Sequence, residues 1–150
     1  MGRRADGGEG VGAGLPRDWQ EVAAPSLDDF QGLAEKALEE LPETFRDLCG
    51  AIEIRVADFA DDEALDGLGI EDPFELLGLF EGVGLAQGGA ESWSGRMPNR
   101  VWLYRRAILD YWCAHEETLG GIVTHVLVHE IGHHFGLSDD DMEALEAEAD

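Results

Sequence analysis

Basic residues are scarce in this chain. It has 10 Lys and Arg against 33 Asp and Glu, for a formal net charge of −23 over 150 residues. A nucleic-acid backbone is bound through clustered Lys and Arg, so the composition argues against nucleic acid as a partner. The same charge predicts repulsion from anionic membranes. A basic partner or substrate would be favoured in the encounter, although a merely soluble acidic surface explains the charge equally well.

Cysteines and long apolar runs are also scarce. Cys49 and Cys113 form no C-x-x-C pair and fit no zinc-finger spacing, so we expect two free, buried thiols. No run approaches the length of a transmembrane helix. Glycines follow Arg3 and Arg4, where a secretory signal would carry an apolar segment. We therefore expect a cytoplasmic monomer with no membrane partner.

The composition changes near Pro25. Residues 1–24 are rich in glycine and lack periodicity, which predicts a disordered leader. Residues 25–150 predict one domain, and a hydrophobic content of 44% is ordinary for a globular protein. Within it, a helix starts at Ser26, the alternation of Ile52, Ile54 and Val56 predicts a half-buried strand, and residues 75–83 predict a strand interrupted by glycines.

A second group of segments leads toward the C-terminus. Residues 84–99 predict a loop, residues 100–109 a strand and residues 110–118 a loop or short turn. Four of the ten basic residues lie in this region: Arg96, Arg100, Arg105 and Arg106. They would either grip a substrate carboxylate or, as we expect, pair with the protein's own carboxylates.

The strongest signal for function is His129-Glu130-Ile131-Gly132-His133 on a predicted helix from Thr118 to about Phe135. A spacing of four places His129 and His133 on one helix face, where two imidazoles share a zinc ion. Glu130 is rotated away from that line and can take a proton from a metal-held water. The alternative is that these are ordinary helical side chains, and the surrounding context disfavours it.

A catalytic zinc needs a third protein ligand. Gly136 can end the helix in a left-handed conformation, and Asp139 would then return toward the metal. Asp140 and Asp141 are adjacent competitors for that role. The alternative is that Ser138 or Asp139 caps a final helix over residues 140–149.

The run from Thr124 to Met142, with its pattern H-E-x-x-H-x-x-G-x-x-D, resembles the small bacterial minimal-zincin metallopeptidases. Residues 76–82 and 98–106 resemble the same family. The resemblance implies an α+β fold: a compact single-domain zincin with a small mixed sheet packed against helices that include the H-E-x-x-H helix. It also implies Zn²⁺ bound by His129, His133 and Asp139. Metzincins are similar too, but only eight residues follow Met142, so we expect their methionine turn to be absent.

The leading hypothesis is a zinc metallopeptidase that hydrolyses a peptide or protein substrate, with Glu130 as the general base. Tyr104, Tyr111 and His125 are all candidates for stabilising the oxyanion, and His125 is otherwise a core residue or a group that orients a ligand. One alternative is a zinc-binding interaction module without catalysis. Another is a metal-dependent endoribonuclease, which both Glu130 and the net charge disfavour.

Overall fold

The computed structural model describes residues 18–82 and 99–149. These residues form three strands and six α-helices. The strands are β1 (Ile52–Ala57), β2 (Gly78–Glu81) and β3 (Asn99–Tyr104). The helices are α1 (Leu27–Glu40), α2 (Glu43–Cys49), α3 (Asp62–Leu68), α4 (Arg105–Ala114), α5 (Leu119–His134) and α6 (Asp139–Ala149). The predicted leader up to residue 17 and the predicted loop over residues 84–98 lie outside the described residues, and Trp19–Glu21 form one 3-10 turn.

The sheet is mixed, with strand order β1-β3-β2. β3 pairs in parallel with β1, placing Ile54 opposite Val101, and antiparallel with β2, placing Phe80 opposite Val101. A parallel pair needs a long crossover between its strands, and here α3 and β2 lie within that connection. The α+β class and the small mixed sheet that we expected are therefore both confirmed.

The main core lies between one face of the sheet and the helices. Ile54, Val101 and Leu103 point from the strands into a cluster that also contains Leu127 and Ile131 of α5. α5 contacts α1, α4 and α6 as well as β2 and β3. Because neighbours surround it on several sides, α5 is apolar around most of its circumference instead of along one stripe.

The prediction of a strand over residues 100–109 was wrong beyond Tyr104. The residues that follow form α4, which extends to Ala114 in the region where we expected a loop. Ala107 and Ile108 are completely buried. Ile108 lies five residues after Leu103, an odd separation that would turn it to the opposite face of a continued strand, so the alternation of Val101 and Leu103 does not extend to it.

Arg100 and Arg105 pair with the protein's own carboxylates, as expected, whereas the Arg106 guanidinium lies over the Phe59 ring, 5.3 Å from its centroid. Arg100 Nε lies 2.9 Å from Glu53 Oε1, and the contact joins β3 to β1. Arg105 Nη1 lies 2.9 Å from Asp58 Oδ1. These pairs hold the strands and the start of α4 together. The fourth residue of the predicted basic group, Arg96, lies outside the described residues.

Both cysteines are free, as predicted, but only Cys49 is buried. The expectation of burial was wrong for Cys113, which lies near the end of α4 on its exposed side. Across the described ranges, the structure contains no helix with the length and apolar character needed to cross a membrane.

Candidate metal centre

The helix that carries the H-E-x-x-H motif has well-defined ends. At its start, the Thr118 hydroxyl accepts a hydrogen bond from the Gly121 N–H at 3.0 Å, which satisfies one free donor of the first turn. At its end, the Leu137 N–H donates to the Gly132 carbonyl and the Gly136 N–H donates to the His133 carbonyl. This is a Schellman motif, and Gly136 has the left-handed φ of 80° that it requires. The predicted helix and its glycine stop are confirmed.

The turn after α5 brings α6 back along it. Ser138 caps α6 by accepting a hydrogen bond from the Asp141 N–H at 3.1 Å, while the Asp141 carboxylate accepts one from the Ser138 N–H at 3.2 Å. Met142 is completely buried. A Cβ added at Gly132 would lie 2.6 Å from the Met142 sulfur, so the glycine in the motif allows α6 to pack closely against α5.

Three histidines of α5 form a ladder at spacings of one turn: His125, His129 and His133. The His129 ring centroid lies 4.0 Å from that of His125 and 5.6 Å from that of His133, to which it is perpendicular. The structure therefore places the two predicted histidine ligands on neighbouring turns of one helix face. It also adds a third imidazole to the same row.

The carboxylate that lies against this row comes from Glu146 of α6. Its Oε2 atom lies 3.3 Å from His129 Nε2, and its Oε1 atom lies 3.1 Å from His125 Nδ1. The possible ligand atoms of these three side chains all lie within 4.8 Å of one another. Two imidazoles and a carboxylate are a donor set that suits zinc, so the side chains fit the metal that the motif implies.

Glu146 is not among the site residues that the sequence predicted. The signal that could have identified it is the spacing along α6. Glu146 follows Asp139 by two helical turns, so both residues lie on the same helix face, together with the buried Met142 between them. A helix that buries position 142 against α5 also directs position 146 toward it.

Asp139 is the first residue of α6, and it is exposed like Asp140 beside it. It lies near enough for its charge to act on the pKa of His129. Within residues 18–82 and 99–149, no trio of His, Cys, Asp or Glu other than His125, His129 and Glu146 brings its ligand atoms this close. The structure thus brings together His129 and His133 but does not join Asp139 to them, and its ligand role stays a prediction.

Glu130 lies against the edge of the sheet. A Cβ at Gly78 of β2 would lie 3.6 Å from the Glu130 Cγ atom. Burial raises the pKa of Glu130 above its usual value, and the nearby His133 opposes that shift. A carboxylate whose pKa is raised toward the working pH is better suited to accept and return a proton.

Burial acts on His129 in the opposite direction. Loss of solvent, followed by the neighbouring His125, lowers the pKa of His129 even though the carboxylate of Glu146 opposes the shift. A lower pKa keeps the imidazole neutral near pH 7, and the neutral imidazole is the form that binds a metal.

An H-E-x-x-H helix packed on a small mixed sheet, with the glutamate beside a short strand, defines a protein of the zincin class. A family model described as "Zincin-like metallopeptidase" matches residues 49–149, and the chain belongs to that family. The match runs from the end of α2 through α6 and includes the whole motif. A search of curated proteins found no significant match. Membership of the family suggests a hydrolase with zinc-dependent peptidase activity, and it agrees with the resemblance found in the sequence.

Proposed function

We propose that this protein is a zinc-dependent peptidase that hydrolyses peptide bonds, with Glu130 as its general base. His129 and His133 would hold the metal together with a carboxylate from α6. The observation that carries the proposal is the position of Glu130. It is partly buried between α5 and β2, where a Cβ at Gly78 would lie 3.6 Å from its Cγ, and burial raises its pKa.

Zinc bound in such a site lowers the pKa of a water molecule and polarises a carbonyl. The chain's own contribution is to move protons and to position the substrate. Glu130 accepts the proton that the attacking water loses and then passes it to the leaving amine.

Two carboxylates of α6 are candidates for the third ligand. Asp139 is the residue that the motif assigns, and Glu146 is the residue whose Oε2 atom lies 3.3 Å from His129 Nε2. They share one face of α6 and are separated by about 10 Å along its axis, at 1.5 Å per residue. Only one of them can reach a metal held between His129 and His133 without a movement of the helix.

The substrate that suits this site is an extended peptide. Within the described residues, β2 is paired on one side only, with β3. A peptide added along its other side would gain main-chain hydrogen bonds, and Glu130 lies against the same strand. This geometry supports our proposal of a peptide or protein partner, and the net charge of −23 favours a basic one.

The test is the substitution Glu130→Gln, which keeps the size of the side chain and removes its basicity. We expect the zinc content to stay at the wild-type level and peptide hydrolysis to fall by about 10²–10⁴-fold, the usual contribution of a general base. Glu116→Gln is the matched control, because Glu116 is exposed between α4 and α5. Wild-type turnover in the Glu130→Gln protein would refute the mechanism. Stoichiometric zinc without hydrolysis of any peptide would instead support a binding module.

A further inference from the structure

A second concave surface lies on the other face of the sheet, away from α5. Along each strand the side chains alternate between the two faces. Val101 and Leu103 point into the main core, whereas Trp102 and Tyr104 point to the opposite side. There they help to line a cleft of about 510 Å³ between the sheet and α3. That volume lies in the range of pockets that bind small groups.

The cleft is both aromatic and acidic. The rings of Trp102 and Tyr104 are nearly parallel, with centroids 6.3 Å apart. Three carboxylates line the same space, from Asp61, Glu63 and Glu81, and the described lining residues include no Lys or Arg. Glu81 Oε1 already receives the Trp102 Nε1–H at 3.2 Å and lies 3.4 Å from Arg100 Nη1. Asp61 caps α3 by accepting the Ala64 N–H.

Tyr104 supplies an observation that is independent of these carboxylates. Its side chain is only 3% exposed, yet its hydroxyl forms no hydrogen bond with any residue in the described ranges. Buried polar groups in folded proteins nearly always have a partner. Burial, followed by the charges of Glu81 and Asp61, raises the pKa of Tyr104 to about 12. The hydroxyl therefore stays neutral in a negative environment, where it can accept a hydrogen bond from a cationic donor.

We propose that this cleft binds the guanidinium side chain of an arginine in the peptide substrate. The inference rests on the proposed peptidase function. A guanidinium matches the features of the cleft because it is planar, stacks on aromatic faces and donates hydrogen bonds in a fixed fork. Its bonds to carboxylates are assisted by charge and are stronger than neutral ones. The stem of the arginine would lie along apolar lining residues such as Leu79 and Leu68.

Strand β2 connects the cleft with the candidate metal centre. Gly78 and Phe80 face α5, where Gly78 lies beside Glu130 and Phe80 packs on His134. Leu79 and Glu81 face the cleft. A peptide that pairs with β2 alternates in the same way. The peptide residue adjacent to the one that faces Glu130 would therefore direct its side chain toward the cleft. We assign the arginine to that position.

The test compares blocked alanine pentapeptides with arginine or citrulline at the central position. Citrulline has nearly the same shape but no charge. Binding to the zinc-loaded Glu130→Gln protein is measured by calorimetry, so that hydrolysis does not consume the peptide. We expect the arginine peptide to bind about tenfold more tightly or better, because a hydrogen bond to a charged group contributes more than one between neutral groups.

Variants locate that preference in the cleft. The double substitution Glu63→Gln and Glu81→Gln is expected to abolish it, while the control pair Glu39→Gln and Glu116→Gln, with the same change of charge at exposed positions, is expected to keep it. Glu63→Gln alone, at an exposed position on α3, should reduce the preference even if the double variant proves unstable. Equal affinity for both peptides, or a preference that survives in both cleft variants, would overturn the proposal.

The same peptides separate this inference from the proposed function. If the wild-type protein hydrolyses peptides without any preference for arginine, the peptidase stands and the arginine cleft is overturned. If it hydrolyses none but binds the arginine peptide through Glu63 and Glu81, the cleft stands as a binding site and the peptidase function fails.

Discussion

Gly78 is the point at which β2 comes closest to the helix of the candidate metal centre, and Gly78→Ala tests that approach. A Cβ at this position would lie 2.6 Å from Val126 Cγ1 and 2.9 Å from the carbonyl oxygen of Trp102. Carbon atoms in favourable contact are about 3.5–4.0 Å apart. Val126 is buried and branched at Cβ, with little rotamer freedom in a helix. The carbonyl belongs to the paired strand β3, so neither neighbour can move without disturbing the sheet.

The expected cost follows from these contacts. Overpacking a well-packed interior costs about 1–3 kcal/mol, whereas replacing glycine returns about 0.4–1 kcal/mol through the unfolded chain. The free energy of unfolding should therefore fall by about 1–2 kcal/mol. For a domain of this size, that corresponds to a decrease of roughly 4–8 °C in Tm. Peptidase activity should fall as well, because β2 lies against Glu130 at Gly78 itself.

Urea denaturation of Gly78→Ala beside wild type measures the change. Gly32→Ala is the matched control, because Gly32 lies on the exposed side of α1 with no atom within 4 Å of an added Cβ. That substitution should stabilise the protein by up to about 1 kcal/mol through helix propensity. If Gly78→Ala were as stable as wild type with an unchanged m-value, β2 would not lie this close to α5, and the argument would be wrong.

Three further predictions concern the turn, the thiols and the third ligand. Gly136→Ala should destabilise the protein by about 1–2 kcal/mol, because φ is +80° there; thermal unfolding measures this, and a smaller loss with Gly136→Asn is the control. Iodoacetamide should label Cys113 in the folded protein and spare Cys49, where burial raises the pKa to about 11; mass spectrometry that finds both labelled before unfolding would contradict this. Metal analysis of Asp139→Asn and Glu146→Gln should show a loss of zinc in the variant that lacks the true third ligand, and full retention in both would exclude an α6 carboxylate as that ligand.

The helix that carries the motif was predictable because the residues that start and end it act on backbone groups close to them in the sequence. The Thr118 cap and the left-handed Gly136 both depend on nearby backbone groups, and both ends of α5 lie where the sequence placed them. The end of β3 was missed because Ile108 was placed on the strand face of Val101 and Leu103. Ile108 does pack in the same core as these residues, but its separation from both is odd, so only a change from strand to helix brings it there.

The neighbours of the candidate ligands were also only partly predictable. A spacing of four residues is enough to place His129 beside His133. The contact of His129 with Glu146 depends on the path of α6. That path is set by the packing of Met142 against Gly132, and the spacing of Met142 and Glu146 along α6 is the local signal of it. The spacing along the chain therefore suggested Asp139 as the third ligand, whereas the carboxylate that contacts His129 in the structure is that of Glu146.

The histidine ladder offers two adjacent pairs, and the position of Glu130 distinguishes them. His133 is the nearby group that acts on the pKa of Glu130, so an ion between His129 and His133 would lie beside the base. An ion held by His125, His129 and Glu146 would lie one turn further from it along α5. Because Met142 packs at Gly132 and Glu146 lies at His129, Asp139 lies toward the end of α5 that bears His133. A metal placed for hydrolysis would be held by His129 and His133 together with either Asp139 or Glu146. The zinc content of the two α6 variants distinguishes between these two carboxylates.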